Sequence, residues 1–251
     1  MIFVTGDCHA DFHRFTTDNF PEQREMTKFD FVIICGDFGG VWNNDSEQQY
    51  WLDWLNDKSF TTLFVDGNHE NFDLLETFSV VDFHGGKAHQ IRDSIFHLMR
   101  GYCFNFEGKK FFAFGGASSH DIDDGILDPL AFENLDEFAR TYKQWSRAGK
   151  MFRVKGFSWW EHELPTDEEM QRGIETLEAN NYEVDYVISH CLPQDVISSI
   201  GYCQPDKLTM YFNDLLNRGL KFKRWIGGHY HENRRIMCAF DILYERIERL
   251  L

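Results

Sequence analysis

The chain contains short runs of apolar residues, and each run ends at glycine or at a polar residue. Runs rich in β-branched and aromatic side chains that stop in this way predict buried β-strands. Five such runs are followed directly by residues that can bind a metal. The runs are Ile2–Thr5, Phe31–Cys35, Thr62–Val65, Tyr186–Ile188 and Trp225–Ile226. Strands and helices alternate in the first third, which predicts a largely parallel sheet with right-handed crossovers.

Other segments have apolar residues at helical spacing. Ser46–Asn56 is predicted to be a helix with Ser46 as its N-cap. A capping box at Thr166-Asp167-Glu168-Glu169 predicts a helix that runs to about Ala179. Further helices are predicted over Glu70–Phe78, Leu130–Arg147 and Pro205–Asn217, the last ended by Gly219.

The pattern changes from Ile95 onward. Short alternating or aromatic runs predict the start of a second, more antiparallel sheet, with Glu107-Gly108 as a hairpin turn. The runs are Ile95–Met99, Tyr102–Phe106 and Lys110–Phe114. Gly115–Asp128 is predicted to be a loop, and Arg234–Leu243 a strand that returns to the sheet. No repeat or linker divides the chain, so we expect one domain over residues 1–251.

The composition narrows the classes of partner. The formal net charge is −16, which argues against a nucleic-acid face and against attraction to an anionic membrane. Any anionic substrate would have to be drawn in by the local field of bound metals. The six cysteines show no CxxC spacing, and no long apolar segment resembles a signal peptide or membrane span. We therefore expect reduced thiols and a cytoplasmic protein. The oligomeric state stays open.

Seven candidate metal ligands follow the five predicted strands. They are Asp7, His9, Asp37, Asn68, His190, His229 and His231. Ligands gather at the carboxyl ends of strands in α/β sheets, so we expect one shared site. Carboxylate and imidazole together suit Mn²⁺, Fe or Zn²⁺, with Mn²⁺ preferred here, whereas Mg²⁺ and Ca²⁺ favour oxygen alone. Seven ligands are too many for one tetrahedral Zn²⁺, although the spacing does not fix the number of metals.

The ordered motifs resemble those of the calcineurin-like metallophosphoesterase superfamily. They are Gly6-Asp7-Cys8-His9, Gly36-Asp37, Gly67-Asn68-His69-Glu70, Ser189-His190 and Gly228-His229-Tyr230-His231. A single GD or GNHE motif carries little information, but five in order over nearly the whole chain are specific. The resemblance implies a four-layer α/β/β/α sandwich of two mixed sheets flanked by helices.

The resemblance also implies roles for the candidate residues. Asp7, His9 and His231 would hold a first divalent metal ion; Asn68, His190 and His229 would hold a second; Asp37 would bridge the two. A metal-bridging hydroxide would attack a phosphate mono- or diester in line. Catalytic roles are implied for two further residues: His69 would stabilise phosphate oxygen or protonate the leaving group, and Glu70 would orient His69 through a hydrogen bond.

Several questions stay open in the sequence. The substrate would be a phosphorylated small molecule or a phosphoprotein. However, the second motif lacks the V-D-R-G continuation of phosphoprotein phosphatases and therefore their phosphate-binding arginine. Arg92, Arg100 or Arg147 are the candidates to replace that arginine. The rival functions are a non-catalytic interaction module on the same fold and a metal-dependent nuclease.

Other polar and aromatic residues near the motifs have no firm role. Trp159-Trp160-Glu161 is predicted to be core rather than a substrate wall, and Asp121–Asp124 a solvated loop. His120 is a weaker candidate to project into the pocket. The remaining histidines are expected to be structural or exposed; they are His13, His84, His89, His97 and His162.

Overall fold

The computed structural model describes all 251 residues, with fifteen strands and six α-helices. The strands are β1 (Ile2–Thr5), β2 (Phe31–Cys35), β3 (Thr61–Val65), β4 (Val80–Phe83), β5 (Gly86–Arg92), β6 (Ile95–Leu98), β7 (Tyr102–Phe106), β8 (Lys109–Phe114), β9 (Gly125–Leu127), β10 (Phe152–Val154), β11 (Tyr186–Ser189), β12 (Arg224–Gly227), β13 (Arg234–Ile236), β14 (Phe240–Ile242) and β15 (Glu248–Arg249). The helices are α1 (Ser46–Asn56), α2 (Phe72–Leu75), α3 (Leu135–Arg147), α4 (Asp167–Ala179), α5 (Gln194–Ser198) and α6 (Lys207–Asn217).

Two mixed sheets form the centre of the molecule. The first has the order β15-β1-β2-β3-β6-β5-β4, and β1, β2, β3 and β6 run parallel. The second has the order β13-β14-β12-β11-β8-β7, with parallel pairing from β8 through β14. A separate parallel pair, β9 and β10, lies outside both sheets. The motif-bearing strands are thus central in their sheets, and their carboxyl ends point the same way within each sheet.

The two sheets pack face to face and are covered by helices on their outer faces. Successive side chains of a strand point to opposite faces. In β2, Ile33 joins a buried cluster with Ile188 of the second sheet, whereas Ile34 joins a cluster with Leu52 of α1. A third cluster packs α4, α5 and α6 on the far face of the second sheet. Because the central strands are buried on both faces, they are apolar throughout, and the expected α/β/β/α sandwich is the observed fold.

Three local predictions are confirmed. Thr166 and Glu169 form the capping box at the start of α4, each side chain bonding the other's backbone. Glu107 and Gly108 form the turn between β7 and β8, both with positive φ, as the favoured two-residue hairpin turn requires. Gly219 follows the C-cap of α6 with a φ of 90°. All six cysteines are free thiols. No helix is long and apolar enough to cross a bilayer.

Three predicted helix starts were wrong by two to five residues, whereas α1 spans Ser46–Asn56 as predicted and only its N-cap differs. Each observed start is fixed by an aspartate or asparagine whose side chain accepts a hydrogen bond from the first turn. These caps are Asp45 for α1, in place of the predicted cap Ser46, and Asn71 for α2, Asn134 for α3 and Asp206 for α6, in place of predicted starts at Glu70, Leu130 and Pro205. The second helix also ends early, at Leu75 rather than Phe78.

Three sheet predictions were also wrong. The run at Ile95–Leu98 pairs with β3 and β5 in the first sheet, because the β4–β5 hairpin precedes it. The segment 234–243 is a hairpin of β13 and β14 rather than one strand. Its turn has Met237 and Cys238 at positive φ, residue types that give no turn signal. The predicted loop Gly115–Asp128 contains β9.

Candidate metal centre

The first group of candidate ligands lies where β1 meets the loop after β12. Asp7 is 1% exposed, and its carboxylate accepts a hydrogen bond of 2.9 Å from the backbone N–H of His229. Its Oδ2 lies 3.1 Å from Nε2 of His231, which in turn lies 3.1 Å from Nε2 of His9. The ligand atoms of Asp7, His9 and His231 all fall within 4.8 Å of one another. Such a cluster can surround one cation.

Asp37 lies between this group and the next. Its Oδ2 is 3.7 Å from Nε2 of His9, and its Oδ1 is 3.4 Å from Nε2 of His190. Oδ1 also accepts a 2.8 Å hydrogen bond from the backbone N–H of His69. Each carboxylate oxygen therefore faces a different histidine.

The second group lies deeper, at the ends of β11 and β12. His190 is fully buried, and its Nδ1 donates to the carbonyl oxygen of Cys35 at 2.7 Å. This bond fixes the ring so that Nε2 faces inward, 3.2 Å from Nδ1 of His229. Burial opposes protonation of His190, but the carboxylates of Asp37 and Asp7 outweigh it and raise its pKa to about 10. Positive charge is thus strongly favoured at this position.

Asn68 also borders the centre, and its side-chain oxygen is unusual. The residue is 4% exposed, and its Oδ1 is buried without a hydrogen-bond partner. Its Nδ2 lies 3.4 Å from Oγ of Ser119. A buried amide oxygen without a donor is costly unless something else satisfies it, and a cation does so. The donor set therefore fits a metal.

The backbone at the centre is held in conformations that few residues adopt. His9, Asp37, His229 and His231 all have φ between 45° and 70°. Each such residue costs on the order of 1–3 kcal/mol, and residues of this kind cluster at functional sites. The loops are thus built to aim these four side chains at the cost of stability.

Two glycines allow the carboxylates to approach. A Cβ at Gly67 would overlap Oδ1 of Asp37, and a Cβ at Gly228 would overlap Oδ1 of Asp7. Only glycine lets the backbone pass this close to another side chain. The glycines of the sequence motifs are therefore required by packing.

Glu70 does not orient His69 as the sequence implied. It is 1% exposed, and its Oε1 accepts a 2.7 Å hydrogen bond from the backbone N–H of Phe38. Burial, reinforced by Asp37, raises its pKa well above the usual range. Glu70 instead fixes the backbone directly after Asp37. The charged neighbour within hydrogen-bond distance of the His69 ring is a different residue.

That neighbour is Arg153, which the sequence did not single out. Its guanidinium lies 3.0 Å from Nε2 and 3.3 Å from Nδ1 of His69. Its Nε donates to Asp121 at 2.6 Å, and it also donates to the carbonyl oxygen of Ser158. The pKa of His69 is lowered to about 4: burial is the largest cause, the charge of Arg153 acts in the same direction, and Asp37 opposes both.

The arginines proposed from the sequence lie elsewhere. Arg92 pairs with Asp53, and Arg100 is buried in an ion pair with Asp66. Arg147 lies in the last turn of α3.

The sequence held only one indication of a role for Arg153. It is a charged residue between apolar Phe152 and Val154, a pattern that predicts a half-buried strand with one polar contact. Asp121, expected to be solvated, is the ion-pair partner of Arg153.

The other uncertain residues also have clear positions. The ring of His120 lies 4.2 Å from that of His229, so His120 does reach the centre. His89 and His97 form a buried pair that contacts Asp66, away from the candidate ligands. Of the predicted core segment Trp159-Trp160-Glu161, only Trp160 is buried, and its indole donates to Asp73; Trp159 is half-buried and Glu161 is exposed.

The chain is similar to a known family of proteins. A family model described as calcineurin-like phosphoesterase matches residues 1–233. A comparison with curated proteins finds no matching relative.

Proposed function

Because the chain belongs to the calcineurin-like phosphoesterase family, we propose that its cluster of histidines and carboxylates hydrolyses a phosphate mono- or diester with two divalent cations. Family membership implies metal-dependent phosphoester hydrolysis. The dinuclear arrangement and the residue roles are our proposal. One observation carries it: Asp37 lies between two groups of inward-facing donors, with one carboxylate oxygen toward His9 and the other toward His190.

Each cation would have its own ligands. Asp7, His9 and His231 would hold the first, and Asn68, His190 and His229 the second, with Asp37 shared. The unpartnered Oδ1 of Asn68 supports a place in the second group. The mixed carboxylate and imidazole set favours Mn²⁺, with Fe or Zn²⁺ as alternatives. When bound, paired cations supply Lewis-acid stabilisation of phosphate charge and lower the pKa of the attacking water.

Side chains of the protein would also hold the phosphate, on the side opposite the cations. The guanidinium of Arg153 offers paired N–H groups that match two phosphate oxygens. It is oriented by Asp121 and lies against His69. We assign Arg153 to binding of the phosphate oxygens, and His69 to a hydrogen bond to the phosphate or the leaving group. Glu70 keeps Asp37 in position by holding the backbone N–H of Phe38.

The test is hydrolysis of a chromogenic phosphate monoester and the matching diester with Mn²⁺, Zn²⁺ and Mg²⁺ in turn. We expect turnover that requires added metal and stops with a chelator. Metal content is measured on the same preparation, so that a lack of turnover caused by missing metal is not mistaken for the lack of activity expected of an interaction module. A protein that binds two metals and hydrolyses neither ester would contradict the proposed activity.

A further inference from the structure

A pocket of about 420 Å³ adjoins the metal centre, with His9 and His69 in its wall. Small-molecule sites typically have volumes of about 300–1,000 Å³. The group attached to a phosphate that is bound at the centre would therefore extend into this pocket. The pocket is formed by the loop after Asp37 and by the first turns of α1.

The apolar part of the lining consists of Ala10, Phe12, Trp42 and Trp51. Trp42 packs edge-on against Trp160, with ring centroids 5.5 Å apart. Trp51 packs against Trp54 at 5.4 Å and Phe12 at 6.1 Å. Both tryptophans are half-buried and held by neighbouring rings, so they keep their orientation without a ligand. Fixed aromatic surfaces of this kind suit a flat ring.

Gln48 adds a polar group to the lining. The residue is 8% exposed, and its Oε1 accepts hydrogen bonds from the backbone N–H groups of Trp42, Asn43 and Asn44. These bonds fix the rim of the pocket. The other end of the same amide, Nε2, is buried and has no hydrogen-bond partner. A buried donor without a partner is rare in folded proteins, and a water molecule or a ligand atom would satisfy it.

The charges of the lining limit what can enter. Asp45 and Glu47 contribute carboxylates, and no lysine or arginine lines the pocket. Asp45 is already engaged by the backbone N–H of Gln48 and by Nδ2 of Asn43. Glu47 is exposed and remains available as an acceptor. A second phosphate group would be repelled here, whereas an amino-bearing neutral ring would be accepted.

We propose that this pocket binds a flat, uncharged nitrogen heterocycle of nucleobase size, and hence that the substrate is a phosphate ester of a nucleoside. This inference rests on the proposed function, because it assigns the substrate of the same centre. The ring would stack on tryptophan, a ring nitrogen or carbonyl would accept from Gln48, and an exocyclic amine would donate to Glu47. A phosphoserine side chain offers no ring and leaves Gln48 without an acceptor.

The test measures binding without hydrolysis. The full chain, loaded with diamagnetic Zn²⁺ and labelled with ¹⁵N, is titrated with adenosine, which has no phosphate. The seven tryptophans give separate indole N–H signals, which are assigned with Trp42→Leu, Trp51→Leu and Trp145→Leu. We expect saturable shifts of the Trp42 and Trp51 signals and none for Trp145, which lies on α3 away from the pocket.

Variants then test the two kinds of contact. Trp51→Leu is expected to weaken adenosine binding about tenfold, the usual effect of losing one base–aromatic stack. Gln48→Glu keeps an acceptor for the pocket rim but removes the amide donor, and should weaken binding about fivefold. Trp145→Leu serves as the matched control with unchanged binding.

The outcomes separate this inference from the proposed function. No saturable shift up to the solubility limit of adenosine, or equal affinity in wild type and Trp51→Leu, would overturn the nucleoside assignment. Turnover of a chromogenic phosphate ester by the same preparation would still support the proposed function. Efficient hydrolysis of a phosphoserine peptide with no adenosine binding would identify a phosphoprotein substrate instead.

Discussion

Asp37 is the residue on which the proposed chemistry depends most. Asp37→Asn keeps the size of the side chain but removes its charge, and an amide cannot serve both cations equally. We expect metal content and turnover to fall together, with turnover reduced by about 10³-fold or more. Metal analysis and kinetics on one preparation measure both. Asp53→Asn, at the surface beside Arg92, is the control. Unchanged turnover in Asp37→Asn would contradict the bridging role.

His69 is expected to act on the substrate rather than on the metals. His69→Ala should retain both cations and lose about 10²–10⁴-fold in kcat, the usual range for removal of a proton-transferring or hydrogen-bonding catalytic group. His162→Ala changes an exposed histidine and should be silent. Equal loss of metal in the His69 variant would make that residue structural.

Arg153 gives a prediction that no sequence motif supplied. Arg153→Lys keeps the positive charge but loses the paired N–H groups, so we expect kcat/KM to fall by about 10²-fold while metal content stays the same. Arg92→Lys, which pairs at the surface, is the matched control. A fall no larger than that of the control would exclude Arg153 from phosphate binding.

The sequence identified the candidate ligands because each follows a strand directly, so short local patterns carried the information. Arg153 was missed because it is 84 residues from His69 along the chain. It reaches the centre through β10, on an excursion outside both sheets. Long-range contacts of this kind leave no local signal.

At the scale of elements, the end of β3 must pass close to Asp37. Gly67→Ala adds a methyl group where Oδ1 of Asp37 lies. We expect at least one cation to be lost and the protein to remain folded, since the change affects one loop. Thr166→Ala is the control: it removes a capping-box side chain from α4 and should cost about 1 kcal/mol of stability without changing metal content. Full metal content in Gly67→Ala would show that the loop can move aside.

Strands were easier to predict than helix starts and the final hairpin. Buried strands such as β2 need apolar residues on both faces, and that requirement is visible in the sequence. The start of α3 depends instead on which of several polar residues caps it, and Asn134 does so. The turn at Met237 and Cys238 is imposed by pairing with β12 and has no turn residues of its own.

At the scale of the whole molecule, we propose that residues 1–251 unfold as one domain whose stability depends on bound metal. The net charge of −16 and the buried carboxylates oppose folding unless cations are present. A ligand at 100 times its Kd adds about 2.7 kcal/mol per site. Scanning calorimetry should therefore give one transition, with a Tm several degrees lower after chelation. Two separate transitions would contradict the single domain, and an unchanged Tm would contradict the metal dependence.

The most direct test of the central claim is anomalous diffraction from crystals of the Mn²⁺-loaded protein. We expect two anomalous peaks about 3.5–4 Å apart, one on each side of Asp37. The first would be contacted by Asp7, His9 and His231. The second would be contacted by Asn68, His190 and His229. A single peak, or peaks away from Asp37, would contradict the dinuclear centre.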